Sequence, residues 1–240
     1  MRNIRITRSV IPNLFTSLNM FCGFVSVIYS TEAKYIDASI LIIIASVFDA
    51  LDGIMARLTK SSSEFGVELD SLSDLVSFGV APAFLVYQSY LYQYSIAGIV
   101  ISSLLMVFGG YRLARFNVQL VGFDKSYFTG LPIPASAITI ASFIMAFYRD
   151  NSYIEPYGKL IIPLVLLLSF LMISRIRYET LPKFTLKGFK DHPYYFLFIL
   201  ASAISVIFSG GKALIYVFVL MILFGIFRHI FSLISGTKSK

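Results

Sequence analysis

Long apolar stretches dominate the chain and alternate with short polar segments. Several stretches approach or exceed the roughly 17 residues that a helix needs to cross the hydrocarbon core of a membrane. We therefore predict eight membrane-spanning helices. The seventh is short, so the last two could instead form one re-entrant pair. The predicted spans cover residues 14–29, 36–55, 69–87, 96–116, 131–148, 160–174, 194–208 and 213–234.

The predicted fold is an all-α integral membrane protein, a helical bundle of six core transmembrane helices plus two at the C-terminus. No internal repeat, low-complexity segment or long linker divides the sequence. Residues 1–183 are expected to form the core, and 184–240 a C-terminal transmembrane hairpin with a basic tail in the same membrane domain. Residues 1–11 alternate Arg with Ile and Val, which fits an amphipathic interfacial helix or, equally well, a flexible basic tail.

The distribution of positive charge predicts the orientation. With eight spans, sixteen of the twenty Lys and Arg residues fall on the side of the N-terminus, and only Lys34, Arg149, Lys159 and Lys212 on the other. The positive-inside rule then places both termini in the cytoplasm of a multi-pass protein of the cell membrane. Topology and attraction to anionic lipids explain the net charge of +7, so no nucleic-acid partner is expected.

Four aspartates lie at the ends of two apolar stretches. Asp49 and Asp52 are three residues apart, and Asp70 and Asp74 are four apart, so each pair lies on one face of a helix. Charge at membrane depth is costly, which indicates a function, and carboxylates that converge repel each other unless a cation lies between them. Oxygen ligands without nearby His or Cys favour hard cations such as Mg²⁺, Mn²⁺ or Ca²⁺.

The residues around the first pair fit a phosphate substrate. Gly53 and Ala56 leave room beside the helix, Arg57 offers a planar fork to a phosphate, and Gly66 would let the connecting loop return close to the site. Each has a plainer interpretation. Small residues also serve helix crossings, and Arg57 and Lys60 could be topology charges.

The segment from Asp49 to Asp74 reads Asp-x-x-Asp-Gly-x-x-Ala-Arg, eight residues, then Gly-x-x-x-Asp-x-x-x-Asp. This pattern resembles the signature of the CDP-alcohol phosphatidyltransferase family at every defined position. The resemblance implies transfer of a phosphatidyl group from a CDP-linked lipid to a small alcohol, a homodimer, and Asp74 as general base. It also implies two divalent cations, Mg²⁺ or Mn²⁺, with the ligands Asp49, Asp52, Asp70 and Asp74.

The same resemblance implies a set of contacts to the nucleotide part of the donor lipid. Asn13 and Thr16 could in addition, or instead, cap the first span. The implied contacts are Asn13, Thr16, Gly53, Arg57, Ser63 and Gly66.

The nature of the acceptor alcohol is suggested by segments outside this motif. Residues 12–24, 70–83, 111–117, 128–135 and 174–178 resemble membrane-embedded phosphatidylserine synthases, which implies CDP-diacylglycerol and L-serine as substrates. A serine pocket needs a cation for the carboxylate and hydrogen-bonding groups. The candidates are Arg112, Arg115, Asn117 and Thr129, although both arginines could equally be topology charges.

Other functions remain open from the sequence. Within the family, glycerol 3-phosphate or an inositol phosphate could replace serine. A cation-coupled transporter would also carry intramembrane carboxylates, but such proteins usually contain inverted repeats and a midplane site. A membrane prenyltransferase would have its Asp motifs at a different spacing.

Overall fold

The computed structural model describes residues 10–59, 63–120, 127–149, 152–154, 156–179 and 212–234. Within these ranges the chain is mainly helical. We number the helices α1 to α8 in chain order: Val10–Thr31, Tyr35–Thr59, Glu64–Asp74, Ala81–Ser89, Ser95–Leu120, Ile133–Phe147, Ile161–Ile173 and Leu214–Ile234. A π-helical segment, Leu75–Val80, joins α3 to α4, and 3₁₀ turns at Leu91–Tyr94 and Tyr157–Leu160 precede α5 and α7.

Four continuous helical stretches are long and apolar enough to cross a membrane: Val10–Thr31, Tyr35–Thr59, Glu64–Ser89 and Leu91–Val118. Three shorter apolar helices follow, Ile133–Phe147, Tyr157–Ile173 and Leu214–His229. The expected helical, multi-pass membrane protein is thereby confirmed. The count of eight spans stays a prediction, because the seventh, at 194–208, lies outside the described residues. So do most of the N-terminal interfacial segment and the boundary at 183.

Helices α1 and α2 form an antiparallel hairpin with a tight connection. Ala33 adopts a positive φ of 58°, and the Lys34 N–H donates to the Tyr29 carbonyl at 2.9 Å. Near the turn, Ser26 Oγ donates to the Ala38 carbonyl at 2.8 Å and ties the two helices together. The hairpin therefore sets the first half of α1 against the last half of α2, where the first aspartate pair lies.

The third span is one uninterrupted helix whose hydrogen bonding changes after Asp74. Pro82 has no N–H to donate, and a proline at this position is expected to kink the span. The residues before Pro82 form a π-helical turn, in which the Ala81 N–H donates to the Val76 carbonyl five residues earlier. This turn begins immediately after the second aspartate pair.

The described residues also contain two short antiparallel ribbons, which the sequence does not predict. In one, β1 (Tyr127–Thr129) pairs with β4 (Arg177–Glu179), and in the other β2 (Tyr148–Arg149) pairs with β3 (Ser152–Tyr153). Gly130, with a φ of +83°, turns the chain out of β1 so that its N–H reaches the Ile176 carbonyl at 2.8 Å. The first ribbon thus fastens the connection between α5 and α6 to the end of α7.

Candidate active site

Three of the four predicted aspartates converge. Asp49 of α2 and Asp70 and Asp74 of α3 each contribute a carboxylate oxygen, and all three oxygens lie within 4.8 Å of one another. Asp74 is buried, with 8% of its surface exposed, while the other two are half-buried. One oxygen of Asp70, Oδ1, is buried and has no hydrogen-bond partner among the described residues.

This group of carboxylates fits a divalent cation. Three negative charges at such short range repel each other, and the low polarity around buried Asp74 weakens any screening by water. Carboxylate oxygens are the ligands that Mg²⁺ and Ca²⁺ prefer. A cation would also give the buried Asp70 Oδ1 the partner that a buried polar atom ordinarily has.

The fourth aspartate is held separately. Asp52, 7% exposed, lies outside the group of converging oxygens. Its Oδ2 accepts a hydrogen bond from Thr16 Oγ1 at 3.0 Å. A metal-ligand role for Asp52 therefore stays a prediction, and Thr16, expected at the nucleotide, is placed beside this carboxylate.

One face of α1 contacts both aspartate pairs. Thr16 donates to Asp52 on α2, and three residues later Asn19 Nδ2 donates to Asp74 Oδ1 on α3 at 3.3 Å. Positions three apart share a helix face, so α1 lies across both pairs. Asn19 is fully buried and is not among the residues predicted from the sequence.

Two serines of the third span fix α1 in this position. Ser73 Oγ donates to the Thr16 carbonyl at 2.9 Å, and Ser77 Oγ donates to the Asn19 carbonyl at 2.8 Å. Gly23 allows the contact, since a Cβ there would lie 2.6 Å from Ser77 Cα. Neither serine is among the predicted site residues. Their spacing is the feature of the sequence that could have indicated them. Each follows an aspartate of the second pair by three residues, which places both serines on the aspartate face of the helix.

Three predicted nucleotide residues meet at the start of α3. Ser63 caps this helix, and its Oγ accepts the Gly66 N–H at 3.0 Å. A Cβ at Gly66 would lie 3.2 Å from Ser63 Oγ and 3.6 Å from Asn13 Oδ1. Gly66 therefore belongs to the first turn of the helix rather than to a returning loop. The N-terminus of a helix attracts negative charge, so the start of α3 is suited to bind a diphosphate group.

The remaining nucleotide candidates continue along α2. Asp49, Gly53 and Arg57 are spaced four apart and lie along one side of the helix. A Cβ added to Gly53 would meet no atom within 4 Å, so the space beside the aspartates is open. Arg57 is exposed at the end of this row. The arrangement leaves room for a bulky group to reach the carboxylates along this side of α2.

The two arginines proposed for serine occupy different environments. Arg112 on α5 is buried, with 6% exposed, and interacts electrostatically with Asp74. Arg115 donates from Nη1 to the Ile173 carbonyl at 2.9 Å and from Nη2 to the Met172 carbonyl at 3.2 Å. Arg115 thus caps the C-terminal end of α7, a contact that the sequence does not predict, while Arg112 lies near the aspartates.

The last two serine candidates lie on α5 and β1. Asn117 Nδ2 donates to Ser71 Oγ at 2.9 Å, which places it against α3 one residue after Asp70. Thr129 pairs with Arg177 in the first ribbon, and its side chain lies outside what the structure describes. The structure therefore brings Arg112 and Asn117 to the third span.

Comparison with known proteins accounts for this set of residues. The family model described as CDP-alcohol phosphatidyltransferase matches residues 9–176. The chain belongs to the CDP-alcohol phosphatidyltransferase family. The matched region contains both aspartate pairs and the face of α1 that contacts them, so the site described above lies within the family domain. The chain is accordingly a transferase of phospholipid biosynthesis.

The chain is similar to bacterial and archaeal proteins. A CDP-diacylglycerol–serine O-phosphatidyltransferase of Helicobacter pylori strain J99 is 37% identical over 233 residues, which cover 95% of this chain and 94% of the relative. An archaetidylserine synthase of Methanothermobacter thermautotrophicus is 40% identical over 181 residues, 74% of this chain and 73% of the relative. A CDP-diacylglycerol–serine O-phosphatidyltransferase of Methanocaldococcus jannaschii is 37% identical over 174 residues, 72% and 75% of the two chains.

Proposed function

We propose that this chain transfers the phosphatidyl group of CDP-diacylglycerol to the hydroxyl of L-serine, giving phosphatidylserine and CMP. The observation that carries the proposal is the convergence of Asp49, Asp70 and Asp74 within 4.8 Å in a chain that carries the whole family motif. Serine as acceptor is supported by the names of the three relatives, each of which refers to serine or to a serine lipid.

The aspartates would hold two divalent cations, Mg²⁺ or Mn²⁺, with Asp52 joining the three converging residues as a ligand. When bound, such cations stabilise negative charge on the reacting phosphoryl oxygens and on the leaving phosphate. Asp74 takes the proton of the serine hydroxyl, because an alcohol is a weak nucleophile until a base within hydrogen-bond reach removes its proton. The serine oxygen then bonds to the lipid-side phosphorus, and the bond from that phosphorus to CMP breaks.

The donor would bind along the open side of α2 and at the start of α3. Arg57 and the N-terminal turn capped by Ser63 are suited to the diphosphate, since one carries a positive fork and the other presents free amide groups. Asn13 lies at the same place, with its Oδ1 near Gly66. The space beside Gly53 would receive the nucleotide.

The acceptor would bind between α3 and α5. Arg112 is the better candidate for the serine carboxylate, because it is buried near Asp74, whereas Arg115 already donates to two carbonyls of α7. Asn117, beside Ser71, is placed to help orient the substrate. Thr129 remains a further candidate for a hydrogen bond.

The enzyme is proposed to work in the cell membrane with both termini in the cytoplasm, as the charge distribution predicts. That orientation puts the aspartates at the cytoplasmic face of the membrane, where serine can enter from the cytoplasm and CMP can leave into it. The acyl chains of the donor can stay in the bilayer while the headgroup reacts. A homodimer is the expected assembly of this family.

The test is CMP release by purified protein with CDP-diacylglycerol and Mg²⁺ or Mn²⁺. Serine, glycerol 3-phosphate and an inositol phosphate are offered separately. We expect release only with serine, and loss of release in Asp74→Asn. Asp37→Asn is the matched control, because Asp37 lies exposed at the opposite end of α2. Release with another acceptor would refute serine. If no acceptor supports release, an archaetidyl donor is the next substrate to test.

A further inference from the structure

Asn19 is a polar residue buried in the middle of the first span. None of its surface is exposed, and its side-chain Nδ2 donates to Asp74 Oδ1 at 3.3 Å. The other polar atom of its side chain, Oδ1, is buried and has no hydrogen-bond partner within the described part of the chain.

Packing alone does not explain this residue. A buried amide oxygen without a partner loses its hydration and gains nothing in return, so it destabilises the folded state. A γ-branched apolar residue such as Leu would fill a similar space without that cost. The amide therefore contributes something besides volume, and within the described residues its side chain donates to the carboxylate of Asp74.

The backbone on both sides of this hydrogen bond is fixed. The Asn19 carbonyl accepts from Ser77 at 2.8 Å, and Ser77 lies in the π-helical turn that begins directly after Asp74. One turn further along α1, Gly23 lies against Ser77 with no room for a Cβ. A donor that is held this firmly on a packed helix can fix the orientation of its acceptor.

We propose that Asn19 is the positioning residue for Asp74. The amide holds Oδ1 of the carboxylate and thereby fixes the orientation of the group that takes the hydroxyl proton of the acceptor alcohol. Asn19 acts through Asp74 and need not touch the substrate. This inference rests on the proposed function, in which Asp74 is the general base, and it extends the site to a third helix.

Three variants separate positioning from packing. Asn19→Leu keeps the branched shape and removes the donor. Asn19→His restores a nitrogen donor at the same branch position. Asn19→Asp keeps the shape but sets a second carboxyl group against Asp74. The matched control is Ser26→Ala, because Ser26 is also fully buried on α1 and loses one hydrogen bond, to Ala38, far from the aspartates.

The readouts are kcat, KM for each substrate and the thermal unfolding midpoint, all at saturating metal. We expect kcat to fall roughly ten- to a hundredfold in Asn19→Leu, the loss typical of a hydrogen bond to a charged group. Both KM values should stay within about twofold, because the amide does not contact substrate. Asn19→His should recover part of kcat, Asn19→Asp should be at least as impaired as Asn19→Leu, and Ser26→Ala should keep wild-type kcat.

Several results would overturn the inference. A kcat for Asn19→Leu no lower than that of Ser26→Ala would do so, as would Asn19→His no better than Asn19→Leu. If Asn19→Leu does not fold, kcat of Asn19→His is compared with kcat of Asn19→Asp. Positioning by a nitrogen donor requires Asn19→His to be the more active of the two. A failure of the proposed function is distinguishable, because the wild-type protein would then release no CMP with serine. The same variants would be measured with whichever alcohol the wild type uses.

Discussion

Replacing Gly23 by Ala tests how closely α1 must approach the third span. The new Cβ would lie 2.6 Å from Ser77 Cα, which is a backbone atom and cannot move aside as a flexible side chain would. Either helix must therefore shift. The nearest polar contacts across this interface are the hydrogen bond from Ser77 to the Asn19 carbonyl and the one from Asn19 to Asp74.

The size of the effect follows from that geometry. Forcing one extra methyl group into a packed interface typically costs about 1–3 kcal/mol. For a chain of this size each kcal/mol lowers the unfolding midpoint by about 2 to 4 °C, which gives a fall of roughly 2 to 12 °C. The bond from Asn19 to Asp74 is already 3.3 Å long, so even a small displacement of α1 should weaken it and lower kcat.

A thiol-reactive fluorogenic dye can follow the unfolding. Cys22 is the only cysteine of the chain and is 7% exposed, so dye labelling reports the opening of α1. Tyrosine fluorescence in the same samples provides a second measurement, because the substitution neighbours the labelled thiol.

Gly53→Ala is the matched control, with the same chemical change in an open environment. Its Cβ meets no atom within 4 Å, and Ala is about 0.5–1 kcal/mol more favourable than Gly inside a helix, so the midpoint should equal or slightly exceed the wild-type value. KM for the donor lipid should rise if the nucleotide uses that space. A wild-type midpoint and kcat in Gly23→Ala would refute the close contact with Ser77. A lowered midpoint in Gly53→Ala would refute the open space.

Three further outcomes are expected. Arg115→Met should lower stability by about 1–3 kcal/mol, because the carbonyls of Met172 and Ile173 lose their donor. It should leave KM for serine unchanged. A raised KM for serine in the folded variant would indicate that Arg115 does bind serine. Burial raises the pKa of Tyr153, so the stabilising contribution of this side chain is present below about pH 10 and is lost as the pH rises further. Tyr153→Phe should reduce this loss of stability at alkaline pH in unfolding scans. At neutral pH it should cost about 1 kcal/mol, because the hydrogen bond to Ser89 is removed. Chelation of divalent cations should abolish CMP release, and Mg²⁺ or Mn²⁺ should restore it, whereas full activity in a metal-free preparation would contradict the carboxylate site.

The local parts of the site could be predicted from the sequence because they depend on spacing alone. Asp70 and Asp74, four residues apart on one helix, must share a face, and the structure brings their oxygens together with Asp49. The helix ends were less accurate. The third span was predicted to begin at residue 69, but the helix begins at Glu64, because hydropathy does not register a polar first turn capped by Ser63.

Contacts between distant parts of the chain were not predictable in the same way. Asn19 and Asp74 are 55 residues apart, and nothing in the spacing of the first span indicates which carboxylate its amide reaches. Arg115 binds the end of α7, a contact across 58 residues to Ile173, and from sequence alone it could not be distinguished from Arg112. The short ribbon that contains Thr129 has too few residues for an alternating pattern to be recognisable.

These contacts change how the family motif is understood. The motif fixes the geometry within each aspartate pair, but α2 and α3 are separate helices, so contacts with a third helix help to set the distance between the pairs. Helix α1 is such an element, because it contacts Asp52 through Thr16 and Asp74 through Asn19. Because Gly23 on the same helix allows the close approach to the third span, a substitution outside the motif can misplace a carboxylate inside it. The functional unit is therefore the motif together with one face of the first span.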